Sequence, residues 1–234
     1  MSIERKGQFL ITEELGVTPS LGIESSQLRE CISEIKERKF KGVFGAPYFG
    51  FREQNLDFLR EIPWLTQIWF FDIDLKNIDA VYSLDDLTYF GVHPKRPPVD
   101  FSRFHKLETL VWIFKSKDKN IATLNSLKTL HIWHHNPKEK TFKGLELPPN
   151  LEVLEINWAN ADSVLDLPFL PKLKRIEFHR CRNLTSVAGL TSIAPKLEEI
   201  FITTSSKVSD DAKLLSLPSL KRAIINDKEI RNRH

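Results

Sequence analysis

Three histidines and two carboxylates pose the first chemical question. The stretch LKTLHIWHHNPKE, residues 127–139, carries His131, His134 and His135 around Trp133, and Glu155 and Glu177 follow in the next two stretches of similar pattern. Imidazole nitrogen and carboxylate oxygen are zinc ligands, so His131, His134 and Glu155 are the set through which a metal-dependent enzyme would act. The spacing argues against it. Along an extended chain successive side chains alternate between faces, so residues i and i+3 diverge. Glu155 and Glu177 suggest an acid–base pair, but with His179 and Arg180 beside them a solvated polar patch is the simpler reading. His135 is expected to be a turn histidine with its hydrogen bonds satisfied. The chain has no GxSxG and no phosphate-cradling glycine loop. The expectation is a protein with no metal, no cofactor and no catalytic residues.

Composition narrows the remaining classes. The 234 residues are 41% hydrophobic and 28% charged, an ordinary globular balance. A net charge of +3, from 34 basic and 31 acidic side chains, gives no field that would mark a nucleic-acid binder. No apolar run approaches the roughly 20 residues of a membrane helix. MSIERKGQFLITEELG meets acidic residues before any apolar core, unlike a secretory signal. Cys31 and Cys181 are the two cysteines, too few for a disulfide framework and suited to a reducing compartment. A cytoplasmic protein is expected, without membrane or nucleic-acid partners.

What must position those histidines and glutamates is a repeat. IPWLTQIWF, LDDLTYFGV, FHKLETLVW, LNSLKTLHI, PPNLEVLEI, LPKLKRIEF, APKLEEIFI and LPSLKRAII share one frame, apolar-x-x-Leu-x-x-apolar-x-apolar, and FKGVFGAPY is a weaker copy before them. The second anchors are Val43, Leu65, Leu87, Leu107, Leu127, Leu151, Leu173, Leu197 and Leu220, which lie 20 to 24 residues apart. Of the anchor positions only Pro148 is not hydrophobic, whereas composition alone would fill about 40% of them. Pro63, Pro149, Pro171, Pro195 and Pro218 sit one or two residues ahead of an anchor leucine, where a missing N–H costs no ladder bond.

This spacing resembles the leucine-rich repeat, over residues 40 to about 228. The resemblance implies an α/β leucine-rich-repeat solenoid. Its parallel strands would line a concave side, with turns, 3-10 pieces and short helices on the convex side. Each repeat would bury its anchors only against its neighbours. The family's asparagine column departs here, with Phe51, Ile73, Lys95, Lys115, His135, Ala159, Cys181, Ser205 and Lys228 in it, so irregular turns are expected. Cys181 is expected to pack quietly inside its turn.

Residues 1–39 form an arm, extended around QFLIT, and a helix over ESSQLRECISEIKER. Leu28, Cys31, Ile32 and Ile35 share one helical face, and Ser25 or Ser26 starts the helix. The expected role of this helix is to cap the solenoid. Residues 40–228 hold about nine repeats, SDDAKLLSL forms a short helix, and 229–234 is a polar tail. All of this is one structural domain.

The outward strand positions gather Trp69, Phe71, Tyr89, His93, Ile113, Phe114, His131, Trp133, His134, Glu155, Asn157, Trp158, Glu177, His179, Arg180 and Phe201, with no lysine among them. Aromatics with arginine and without lysine characterise interfaces, so these are the expected partner-binding residues. A competing reading has Phe49, Trp69 and Phe71 packed on one another beneath the N-terminal arm. The expectation is a monomeric, non-catalytic module that binds a protein. Its small stand-alone form with degenerate repeats is similar to bacterial immunity or inhibitor proteins that neutralise a toxin or an enzyme. NLTSVAGLTSI also resembles the outer segments of phosphatase-regulating leucine-rich proteins, which suggests a scaffold instead.

Overall fold

A computed structural model describes residues 2–13, 18–205, 207–208, 214 and 217–230. Thirteen strands follow one another in chain order, mostly parallel and open, and dominate an α/β fold with few helices, compatible with a solenoid-like arrangement. No helix among the described residues is long and apolar enough to cross a membrane. The chain divides into two compact units, Met1–Leu110 with Lys117–Lys119, and Val111–Ser116 with Asn120–His234.

In the first unit β1 (Glu4–Lys6), β2 (Phe9–Thr12) and β3 (Ser20–Gly22) pair antiparallel in turn, and β3 pairs parallel with β4 (Gly42–Gly45). Parallel neighbours need a crossover. The helix α1 (Leu28–Arg38) supplies it, burying Cys31, Ile32 and Ile35. The helix connects β3 to β4, and a capping role for it is not confirmed; β1 and β2 come before β3 in the strand order. Neither serine caps the helix; Ser25 Oγ accepts the N–H of Arg52 instead. The strands β5 (Gln67–Asp74) and β6 (Tyr89–Lys95) continue the parallel series.

The anchors behave as the alternation requires. Ile68, Phe70, Phe90 and Val92 are buried on one face, with Leu65 and Leu87 buried just ahead of their strands. FKGVFGAPY is out of frame. Val43 pairs with Ile68 and Gly45 with Phe70, so these two, not Ala46 and Tyr48, fill the strand-anchor slots. Tyr48 is 90% exposed and belongs to a 3-10 turn, Pro47–Phe49. The ring of Phe70 occupies the space where a side chain at Gly45 would stand, a Cβ there lying 2.7 Å from it, so a glycine hides this anchor from a hydrophobic pattern.

The strand β7 (Thr109–Ile113) ends in the second unit, which continues through β8 (Thr129–Trp133), β9 (Val153–Asn157), β10 (Arg175–His179), β11 (Glu199–Thr203) and β12 (Arg222–Ile225). From β8 to β12 the pairing is parallel and unbroken in register. Leu130, Leu154, Ile176, Ile200 and Ala223 share a buried row, and Ile132, Ile156, Phe178, Ile202 and Ile225 share the next. Single turns of 3-10 helix and the short α2 (Leu190–Ile193) connect strands across both units, as expected. DKEI does not trail away as tail: β13 (Lys228–Ile230) turns back antiparallel on β12 through left-handed Asn226 and Asp227. The helix expected over SDDAKLLSL lies almost wholly outside the described residues.

Candidate functional site

In-register parallel pairing turns equivalent residues of successive repeats into rows. On the face of the second unit opposite the anchors, one row runs His131, Glu155, Glu177, Phe201 and Ile224. The row after it runs Trp133, Asn157, His179 and Thr203, and the row before it Thr129, Val153, Arg175, Glu199 and Arg222. The rows set two carboxylates side by side, an arrangement that costs energy unless cations or donors face them. Both have such partners. His131 Nδ1 lies 2.6 Å from Glu155 Oε2, and Asn157 Nδ2 donates to Glu155 Oε1 at 2.7 Å. Arg175 Nε donates to Glu177 Oε1 at 2.6 Å, and His179 Nε2 lies 2.8 Å from Glu177 Oε2. Burial pushes the Glu155 carboxyl up, but the hydrogen bonds from His131 and Asn157 and the charges of His131 and His179 outweigh it and hold the pKa at about 2.

The residue after each strand is left-handed: His134 (φ 60), Trp158 (φ 51), Arg180 (φ 57) and Thr204 (φ 53). For residues other than glycine or asparagine this conformation costs on the order of 1 kcal/mol each. What holds three of them there is a ladder bond: the N–H groups of His134, Trp158 and Arg180 donate to the carbonyls of Asn157, His179 and Thr203 on the next strands. The turn brings their side chains together at the strand ends. His134 stacks on Trp158 at 5.3 Å, Arg180 lies over the Trp158 ring at 4.6 Å, and Trp133 packs against Trp158 at 5.1 Å. His134 and Arg180 are exposed, and Trp133, Trp158 and Phe201 are half-buried. Arg175 and Arg222 cover the Phe201 ring at 4.6 and 5.5 Å.

The face thus assembles His131, Trp133, His134, Glu155, Trp158, Glu177, His179, Arg180 and Phe201 as expected. Asn157 belongs to it from below, because it is buried beneath Glu155. Sequence reasoning missed Arg175, Arg222 and Thr203. Period-two alternation carried one step back from Glu177 and from Ile224, or one step on from Phe201, places all three on the same face.

In the first unit the aromatic residues form a packed layer. Phe44 and Leu10 are buried together, with Ile3, Phe49, Trp69 and Tyr89 against them. Trp69 and Phe71 pack at 4.8 Å, and the Trp69 ring fills the space where a Cβ at Gly91 would stand. Burial pushes the Tyr89 hydroxyl up to about 12. Trp69, Phe71 and Tyr89 are half-covered; the arm does not fold back across them but adds β1, β2 and β3 to the edge of the sheet, where Leu10 and Ile3 pack against the layer. The side chain of His93 lies outside the described part. Ile113, expected to face solvent, is buried, and Phe114 turns its ring against His135.

His135 departs from the satisfied histidine expected. It is buried between Phe142, stacked at 5.5 Å, and Phe114, edge-on at 4.5 Å, and neither ring nitrogen reaches a partner at hydrogen-bond geometry. Burial pushes its pKa down, against a smaller opposing pull from the Thr141 backbone. A base with a depressed folded pKa binds fewer protons folded than unfolded, so it leaves stability intact above the unfolded value near 6.5 and removes it as pH falls from there. His135→Phe should therefore melt higher than wild type at pH 5.5, with a smaller difference at pH 8. Parallel pH profiles of the melting temperature for the two proteins would refute this account of His135.

Among the candidate metal ligands, His134 is stacked on Trp158, whereas His131 meets Glu155. The set His131, His134 and Glu155 is not brought together. Among the described residues, one ligand atom from each of Glu155, Glu177 and His179 does fall within 4.8 Å of the other two. Cys181 is buried and donates weakly to the Ile156 carbonyl, its thiol pushed up to about 11 by burial. Comparison with known proteins adds nothing to this geometry: no family model matches the chain, and no curated protein matches it in sequence.

Proposed function

We propose that the chain is a cytoplasmic leucine-rich-repeat protein, a curved solenoid with the rows described above on its concave side, and that it binds a protein partner there without chemistry of its own. One observation carries the reading. The left-handed turn that recurs at this position of the repeats, as at Asp72 and Thr204, here brings His134, Trp158 and Arg180 together as a stack at the surface, with Trp133 alongside. Large half-exposed aromatics flanked by arginine are the residue types that anchor interfaces. The neighbouring pair Glu155 and Glu177 adds a centre suited to a basic contact. Inhibition of a toxin or enzyme by occupation of its surface is the role proposed, by analogy with small stand-alone proteins of this repeat type.

The test is affinity capture from lysate of the native host with wild type and with Trp133→Asp/Trp158→Asp. Aspartate tolerates the left-handed conformation that Trp158 adopts, so the variant should stay folded, which its melting curve will verify. A partner held by wild type should be lost, each tryptophan contributing about 2 kcal/mol, or roughly thirtyfold in affinity. Equal capture by both proteins would remove this face from consideration.

A further inference from the structure

We propose that the face of the second unit binds a divalent transition-metal cation of the zinc class through Glu155, Glu177 and His179. The site goes beyond the partner-binding reading and does not depend on it. Register brings the three together: Glu155 and Glu177 are direct cross-strand neighbours, and His179 lies two residues along β10 from Glu177 on the same face. One ligand atom from each of the three lies within 4.8 Å of the other two.

Each of the three is oriented by a residue outside the cluster that occupies its other polar atom. Asn157 holds Glu155 Oε1, Arg175 holds Glu177 Oε1, and Thr203 Oγ1 lies 2.7 Å from His179 Nδ1. That leaves Glu155 Oε2, Glu177 Oε2 and His179 Nε2 as the atoms for a metal. Metal-binding imidazoles and carboxylates are supported in this manner, the outer partner fixing tautomer and orientation. Without metal, a neutral imidazole satisfies both of its contacts, donating Nε2–H to Glu177 Oε2 at 2.8 Å and accepting the Thr203 hydroxyl at Nδ1. Metal entry shifts that proton to Nδ1, where Thr203 Oγ1 accepts it, and frees the Nε2 lone pair. His131, 2.6 Å from Glu155 Oε2, is a hydrogen-bonded neighbour that gives way to the metal. An imidazole nitrogen with two carboxylate oxygens suits zinc and its neighbours rather than magnesium or calcium, which select oxygen.

Of the charged groups around the cluster, the guanidinium of Arg175, also 3.6 Å from Glu199, opposes a second cation. Affinity in the micromolar range is expected rather than that of a closed structural centre. Untagged protein stripped with EDTA and dialysed is titrated with ZnCl2 at pH 7.5 by calorimetry. The expected result is one saturable site and no comparable heat from MgCl2. His179→Ala and Glu155→Gln should each weaken Zn2+ binding at least tenfold, while His134→Ala, which alters a histidine outside the cluster, should not. Glu155→Gln preserves the shape and most hydrogen bonds, so it decides the matter if His179→Ala fails to fold. Absence of saturable binding, or Glu155→Gln binding Zn2+ as wild type does, overturns the proposal.

Discussion

Asp118→Ala should destabilise the first unit by about 3–5 kcal/mol, a large part of the 5–15 kcal/mol that separates most folded domains from their unfolded chains. Asp118 and Arg96 form a two-pronged pair, Nη1 to Oδ1 at 2.8 Å and Nη2 to Oδ2 at 2.7 Å, with both side chains only 1% exposed. Asp118 Oδ1 also accepts the N–H of Val99, and Arg96 Nη1 donates to the Pro97 carbonyl. Around this pair Lys119 N–H donates to the Val99 carbonyl, and Phe101 N–H donates to the Lys119 carbonyl. The carboxylate thus ties segment 96–101 to segment 117–119. Its removal leaves a guanidinium buried without its counter-charge, which is what makes breaking one side of such a pair so costly. The double variant Arg96→Met/Asp118→Leu should recover much of the loss, because desolvating two charges nearly offsets their attraction. Asp86 and Lys106 form an ion pair that is mostly exposed, and Asp86→Ala should change stability little. Denaturant unfolding of wild type and the three variants measures these differences. A cost for Asp118→Ala no greater than that for Asp86→Ala would mean the pair is not structurally important.

That pair was invisible in the sequence, and the reason bears on how much a repeat pattern can reveal. Anchor spacing encodes the strands whose alternation is uniform, so β5 to β12 fall where the frame puts them. It encodes no strand whose anchor is a glycine, which is why β4 came out three residues late, and none that pairs antiparallel for three or four residues, as β1, β2 and β13 do. Arg96 and Asp118 lie in connecting segments outside the frame, where a lysine-rich loop such as KSKDKN gives no sign that its aspartate is buried. The face of the second unit was largely legible because a row needs only register and period two. The residues at its strand ends were legible too, but their left-handed backbone was not. Left-handed turns are usually announced by glycine or asparagine, and here tertiary ladder bonds impose them on histidine, tryptophan and arginine instead. Ile113 and Asn157 fell on outward positions yet are buried, since facing away from the anchors does not guarantee facing water.

The same distinction makes Phe44→Ala the second large effect. Phe44 pairs with Trp69 and so stands on the face opposite the anchors, where Glu155 and Phe201 stand in the second unit, yet it is fully buried. Its ring packs edge-on against Phe49 at 5.7 Å and lies over Gly22, where a Cβ would stand 2.8 Å away, with Leu10 beside it. The arm has made this end of the face into core, so truncation removes a buried ring and leaves a cavity that β2 and β3 cannot close without shifting. The expected loss is about 3–5 kcal/mol. Trp133→Ala, on the half-exposed part, should cost clearly less, on the order of 1 kcal/mol, and act on binding instead. Thermal unfolding of the two variants side by side separates the alternatives. Comparable losses would mean that Trp133 is core as well, and the case for a binding face would then rest on Trp158 and Arg180 alone. A small loss for Phe44→Ala would mean instead that the arm leaves the aromatic layer of the first unit open, returning Trp69, Phe71 and Tyr89 to the binding surface.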